Sequence, residues 1–316
     1  MLRETEDFLR GKYCTDNDFL TSYSPKDKSW DIHKAQADAV ANLYSQTVYD
    51  RYCGKLNECS GYLAFHFIDN PQTGESKLKL FRASFCRLRH CPICQWRRSL
   101  LWMIRFKNTL PEIQSKHPTA RYIFLTLTVK NCDLNELRET LQAMNKGWKR
   151  LIQRPDWPAL GFIRTTEVTR SDIGEAHPHF HCIMLVKPGY FSKYYIKHSE
   201  WIEMWQKVMR LNYSPNLDIR VIATKNIEKS ICELIKYAIK PDDLMYSAQW
   251  LEGITKQLSR LRFIATGGVL KNCLREGDET NEDLIKLESN SNTEQAPELR
   301  FGWNRPAQRY KKITRK

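Results

Sequence analysis

The sequence predicts an α+β fold, a mostly antiparallel central sheet with flanking helices. Three observations predict it. Stretches of period-two patterning alternate with stretches of helical periodicity in the order β-α-β-β-α-β-α. Two consecutive strands are separated by only a short Asp- and Gly-containing segment, "RSDIGEA", which makes a hairpin in the middle of the pattern. The chain has 316 residues, 41% of them hydrophobic, enough for a sizeable core. An order of this kind lays helices on one face of an antiparallel sheet.

Residues 1–50 are polar and weakly patterned, with one helical stretch at "HKAQADAVANLYSQTVYDR". Residues 51–110 carry most of the clustered cysteines. "ARYIFLTLTVKN" (120–131) alternates and is rich in β-formers, so it reads as a strand. A helix follows from about Asp133, because Asp133 and Glu136 have capping-box spacing. Its apolar stripe is Leu134, Leu137, Leu141, Met144, Trp148 and Leu151. "LGFIRTTEVT" (160–169) and "HPHFHCIMLV" (177–186) are the two hairpin strands. "SEWIEMWQKVMRL" reads as a helix, "LDIRVIA" as a strand, and "NIEKSICELIKYAIK" as a helix stopped by Pro241. Residues 277–298 are acidic and polar, as in a linker or loop. The final "RFGWNRPAQRYKKITRK" is basic with interleaved aromatics, either a DNA-contacting tail or a solubilising end. The expected domains are an N-terminal Cys-rich region at 1–115, a core at 116–245 and a C-terminal extension at 246–316.

Lys and Arg number 50 against 36 Asp and Glu, a net charge of +14. That excess points to a polyanionic partner. Nine Trp and 14 Tyr add rings on which unpaired bases can stack. No stretch is apolar for long enough to span a bilayer, and "MLRETEDFLRGK" lacks the apolar core of a signal peptide. The expected location is the cytoplasm, so the ten cysteines read as free thiols or metal ligands.

Side chains alternate between the faces of a strand. His177, His179 and His181 therefore share one face, opposite Pro178, Phe180, Cys182, Met184 and Val186. The second face is the core side. The first is polar only at its start, then becomes Ile183 and Leu185, so the polar cluster belongs at one end of the sheet. If the hairpin turns over residues 171–175, Glu167 falls opposite His179 on the same face, whereas a one-residue slip would turn it away. Imidazoles beside a carboxylate, with positions left open, suit a divalent ion such as Mn²⁺, Mg²⁺ or Zn²⁺.

In "CELIKYAIK", Glu233 and Tyr237 are four residues apart and share a side of the helix. With Lys236 and Lys240 they point away from the apolar stripe of Ile227, Ile231, Leu234, Ile235 and Ala238. A phenol titrates near 10, and becomes a usable nucleophile only beside a metal or cations that stabilise phenolate.

The strand "FLTLTVKN", then "HPHFH", then the helix with "ELIKYAIK" resemble, in order and spacing, the HUH endonuclease superfamily over roughly residues 50–245. More closely they resemble the single-tyrosine rolling-circle replication initiators (Rep proteins) of small bacterial plasmids. The resemblance implies a ferredoxin-like palm in which His179 and His181 bind the ion, His177 extends the motif, Tyr237 is the nucleophile and Glu233 activates a later water or hydroxyl. It implies cleavage of single-stranded origin DNA to a 5′-phosphotyrosine link and a free 3′-OH, with host helicase and polymerase as partners in a bacterial cytoplasm. The absence of a "GxxxxGK[ST]" loop fits a transesterification that needs no nucleoside triphosphate.

"FCRLRHCPICQWRRS" supplies Cys86, Cys91 and Cys94, a Cys-x2-Cys knuckle followed by a helix, which suits a structural Zn²⁺. Cys53, in a Cys-Gly step where the resembling Rep proteins also place a Cys, is the expected fourth ligand, with Cys59 and His90 as alternatives. Cys14, Cys132, Cys182, Cys232 and Cys273 read as isolated thiols. Arg97 and Arg98, near Arg87 and Arg89, join Lys236 and Lys240 as expected DNA contacts. Rival readings are an HUH relaxase or transposase, a non-catalytic zinc-containing DNA-binding regulator, and a metallohydrolase of small molecules. Relaxases usually place their tyrosine before the histidines, small HUH transposases lack such a cysteine-rich segment, and the hydrolase leaves the charge and the tyrosine helix unexplained.

Overall fold

The computed structural model describes residues 18–69, 76–223, 226–235, 239–274, 280–285 and 297–314. In chain order the main elements are α1 (Lys28–Tyr44), α2 (Arg51–Glu58), β1 (Tyr62–Asp69), β2 (Ser76–Ala83) and α3 (Pro92–Lys116). Then come β3 (Arg121–Thr128), α4 (Leu137–Ile152), β4 (Ala159–Arg170), β5 (Ala176–Val186), α5 (His198–Met209) and β6 (Leu217–Ile222). The chain continues with α6 (Ile227–Ile235), α7 (Ala248–Gln257), β7 (Ile264–Gly268), β8 (Glu298–Asn304) and β9 (Arg309–Lys312). Among the described residues no helix is long and apolar enough to cross a membrane.

Two compact units divide these elements: Met1–Arg97 with Glu279–Lys316, and Arg98–Asp278. The boundaries differ from those read in the sequence, because the C-terminal stretch rejoins the first unit and the break falls inside α3.

The first unit holds a four-stranded antiparallel sheet in the order β2-β1-β8-β9. The basic C-terminal segment, expected to be a DNA-contacting tail or a solubilising end, is folded into this sheet as β8 and β9. Leu299 and Phe301 alternate inward, with Arg300 between them, and Phe301 pairs with Leu63 of β1. Asn304 Oδ1 accepts from the Ala307 backbone N–H at 3.0 Å, a local bond in the turn that leads back into β9. Tyr310 on β9 is fully buried and its hydroxyl donates to the Ser60 carbonyl at 2.6 Å. Lys34 of α1 is also fully buried. Its ammonium donates to the carbonyls of Leu56 (3.1 Å) and Asn57 (2.8 Å), capping the C-terminus of α2, and pairs with Asp38 at 3.0 Å.

The second unit holds a five-stranded antiparallel sheet in the order β6-β3-β5-β4-β7. Helices cover both of its faces. On the Phe180 face, the rings of Trp148 (α4) and Trp205 (α5) each stand 6.4 Å from Phe180. A Cβ at Gly147 would collide with Met209, so glycine permits the close approach there. On the other face, Ile183 and Leu185 pack with Ile231 and Leu234 of α6 and Phe106 of α3. The expectation of helices on one face missed that "CIMLV" is apolar at every position, which is the pattern of a strand covered on both sides. The capping box also fails to form: Asp133 accepts from the Asn135 N–H at 2.8 Å, a 3-10 turn spans Leu134–Glu136, and the α-helix begins at Leu137.

Candidate functional site

The β4–β5 hairpin closes over Ser171–Glu175, where the Ser171 N–H donates to the Glu175 carbonyl at 2.9 Å and Gly174 takes a positive φ of 89°. That turn sets the register, with Glu167 opposite His179, Thr165 opposite His181 and Thr169 opposite His177. His179 Nε2 stands 3.2 Å and His181 Nε2 2.7 Å from the same oxygen, Glu167 Oε2. Cis ligands about 2.1 Å from an octahedral ion are about 3.0 Å apart, so the three atoms fit ligands of one divalent ion. Burial alone would raise the carboxyl of Glu167, but its hydrogen bonds with His179 and His181 outweigh that and hold it well below the usual carboxylate range. On the far side of the His181 ring, Nδ1 lies 3.1 Å from Thr126 Oγ1. With Nδ1 engaged there, Nε2 is aimed at the shared point.

His177 is not brought into this group. The ligand atoms of Glu167, His179 and His181 lie within 4.8 Å of one another, and His177 does not belong to that set. His177 and His181 are each one two-residue step, about 6.6 Å, from His179, and Glu167 turns its carboxylate toward the His181 side. Its ring meets the His179 ring edge-on at 4.9 Å, and burial, then His179, push its pKa down.

Cross-strand rows build the floor beside these groups. His181, Thr126 and Asp218 form one row, and Ile183, Phe124 and Arg220 the next. α6 lies over the apolar end, leaving an open cleft of about 370 Å³ lined by Thr126, Glu167, His181, Asp218, Arg220, Glu233 and Lys240, among others. The predicted Glu233 and Lys240 therefore reach the same cleft as His181 and Glu167. Glu233 Oε2 is 3.7 Å from Arg220 Nη2. Tyr237 and Lys236 lie outside the described residues. Pro241, expected to stop the helix, sits in the first turn of a short helix at Pro241–Leu244.

The cysteine cluster forms, with one correction. Its fourth member is Cys59, not Cys53. The sulfurs of Cys59 and Cys94 are 3.6 Å apart, those of Cys86 and Cys94 3.7 Å, and those of Cys91 and Cys59 3.6 Å. Four sulfurs about 2.3 Å from one ion form a tetrahedron with edges of about 3.8 Å, so the spacing fits a bound metal. Cys59 follows α2, whereas Cys53 lies in its first turns, about 9 Å back along the helix axis. The Cys53 sulfur instead accepts from Asn57 Nδ2 at 3.4 Å. Burial pushes the Cys91 thiol up, a preference that coordination to a metal would reverse by taking the sulfur as thiolate. His90, the other alternative, is buried beside the cluster without belonging to it.

Arg97 is likewise corrected. It follows Cys94 by three residues, so it faces the same interior side of α3. Only 7% exposed, it donates to the Leu284 carbonyl at 2.9 Å and stacks on Trp30 and Trp96. That is a structural position, not a DNA contact. Arg98 is partly buried and also has interaction partners.

Thr126, Asp218 and Arg220 went unnoticed in the sequence. The signal was present: Thr126 interrupts an apolar strand, and "LDIRVI" places Asp218 and Arg220 on one face.

Comparison with known proteins adds an independent line. A family model described as "Replication protein" matches residues 77–311. A "Protein rep" of Bacillus amyloliquefaciens is 32% identical, across 87% of this chain and 92% of its own. Another "Protein rep", from Bacillus sp, is 33% identical across 84% of this chain and 94% of its own. A third, from Streptococcus pneumoniae serotype 2, is 30% identical across 90% and 92%. No solved structure matches the chain.

Proposed function

The chain belongs to the replication protein family, and on that premise we propose that it initiates rolling-circle replication of a bacterial plasmid by nicking single-stranded origin DNA. The observation that carries this reading is the convergence of Glu167 Oε2 with His179 Nε2 and His181 Nε2 beside an open cleft. A divalent ion, Mn²⁺ or Mg²⁺, held by those atoms supplies polarisation of the scissile phosphate and stabilises the charge of an in-line transition state. Glu167 contributes a carboxylate kept ionised by its neighbours, and Thr126 orients His181.

Tyr237 is the assigned nucleophile. Its oxygen bonds to phosphorus as the bond to the 3′-oxygen breaks, the phenol proton leaves, and the 3′-oxygen takes up a proton. The energy of the phosphodiester stays in the 5′-phosphotyrosine link, and the free 3′-OH serves a host polymerase working with a helicase in the cytoplasm. Glu233, four residues earlier, is the assigned base of the closing step, taking a proton from water or a DNA hydroxyl. The cluster of Cys59, Cys86, Cys91 and Cys94 is assigned a structural Zn²⁺ that ties the turn after α2 to the start of α3.

The test is to incubate the protein with a labelled random-sequence single-stranded DNA library and Mn²⁺, then look for an adduct that survives SDS. The proposal requires a metal-dependent adduct that Tyr237→Phe abolishes while DNA binding persists. A protein that binds the library and never forms the adduct is a regulator, and the proposal falls.

A further inference from the structure

Arg220 occupies the cleft without serving as a metal ligand or as the nucleophile. It stands on β6, an edge strand of the five-stranded sheet, at the end of the row Ile183, Phe124, Arg220. Its guanidinium lies over the Phe124 ring, 4.7 Å from the centroid, and its Nη2 is 3.7 Å from Glu233 Oε2. The two side chains of that ion pair are 57% and 46% exposed. A pair this long and this wet is weak, so a better partner for the guanidinium displaces the carboxylate easily. The stacking on Phe124 is a separate contact and keeps the side chain in the cleft.

The charge around it says which partner that is. Among the described residues the cleft is lined by three carboxylates, Glu167, Asp218 and Glu233, against two cations, Arg220 and Lys240. A phosphate entering such a place is bound only where a cation meets it directly. An ion on Glu167 meets it on one side. On the other side the guanidinium fork matches two non-bridging phosphate oxygens, a geometry that a point charge does not offer.

We infer that Arg220 is a catalytic contact to the scissile phosphate, held by Glu233 in the free protein and passed from Glu233 to the phosphate when DNA binds. The inference rests on the nicking reading above. Arg220 transfers no atom. It donates N–H bonds to the two non-bridging oxygens while the bond from Tyr237 oxygen to phosphorus forms and the bond to the 3′-oxygen breaks. The same exchange strips Glu233 of its cation, leaving its carboxylate free to accept a proton in the closing step. Arrival of DNA and readiness of the base are thereby one event.

The test compares Arg220→Gln and Arg220→Lys with the unmodified full chain. The DNA is an oligonucleotide recovered as adduct from the random library, used at saturating concentration with Mn²⁺ in single-turnover mode. Loss of a donor to developing charge lowers rates by about 100-fold or more, so Arg220→Gln should form adduct about 100-fold more slowly, with Arg220→Lys in between. Melting temperature and Mn²⁺ affinity by calorimetry should stay at the unmodified values, which a structural role would move. A wild-type adduct rate in Arg220→Gln overturns this inference and leaves the nicking reading standing. A rate loss matched by an equal loss of Mn²⁺ affinity also overturns it, because Arg220 would then act through the metal. No adduct from the unmodified protein overturns both.

Discussion

Thr126→Val removes a single hydroxyl beside the histidines and keeps the shape of the side chain. The Thr126 Oγ1 stands 3.1 Å from His181 Nδ1, and His181 Nε2 is 2.7 Å from Glu167. Both ring nitrogens of His181 are thus engaged, which fixes the ring's rotation. Valine suits a strand at least as well as threonine, so β3 should persist. Without the hydroxyl, the imidazole loses the partner that aims Nε2 at the shared point. Outer-shell partners of this kind are worth about 10–100-fold in metal affinity, or about 1.4–2.7 kcal/mol. Mn²⁺ titration by calorimetry reads the change directly. Thr128→Val is the control: Thr128 pairs with His179 across the strands, but its hydroxyl donates to the Asn216 carbonyl at 2.8 Å. An affinity in Thr126→Val within about twofold of the unmodified protein, or a larger loss in Thr128→Val, would refute the reasoning.

Three further outcomes are expected. Elemental analysis should find about one zinc per chain in the unmodified protein and in Cys53→Ser, and almost none in Cys59→Ser, whose melting temperature should also fall because bound metal contributes folding free energy. His179→Ala should weaken Mn²⁺ binding by more than about tenfold, and His177→Ala by less than about twofold, as read by the same titration. Glu233→Ala should nick at a normal rate yet release its adduct about 100-fold more slowly, and a normal release rate would remove Glu233 from the closing step.

The parts of this fold that were legible in the sequence are those whose periodicity stands alone. β3 to β6 alternate or run apolar between clear turn residues, and α4 and α5 carry continuous stripes, so their order and even the opposition of Glu167 to His179 could be read. β8 and β9 were hidden by their outer faces. Arg300, Arg309 and Lys311 made the segment look like a basic tail, although Phe301 and Tyr310 are fully buried between them. β7, "IATGG", is short and glycine-rich and gains its identity only from pairing with β4. The choice between Cys53 and Cys59 turned on where α2 ends, and its last carbonyls are met by a buried lysine contributed from α1. Arg97 shows the same limit: a charged residue beside a metal knuckle reads as surface, until a carbonyl and two tryptophans claim it. Chemistry at one strand end could be read locally, whereas partners brought from distant segments could not.

Peptide mass mapping of the DNA adduct tests the central claim most directly. The protein is incubated with adduct-forming single-stranded DNA in Mn²⁺ or in EDTA, digested with nuclease and trypsin, and the nucleotide-bearing peptide is sequenced. The account predicts a nucleotide on Tyr237 in Mn²⁺ and none in EDTA. A nucleotide on another residue such as Tyr246, or equal modification in EDTA, would contradict it.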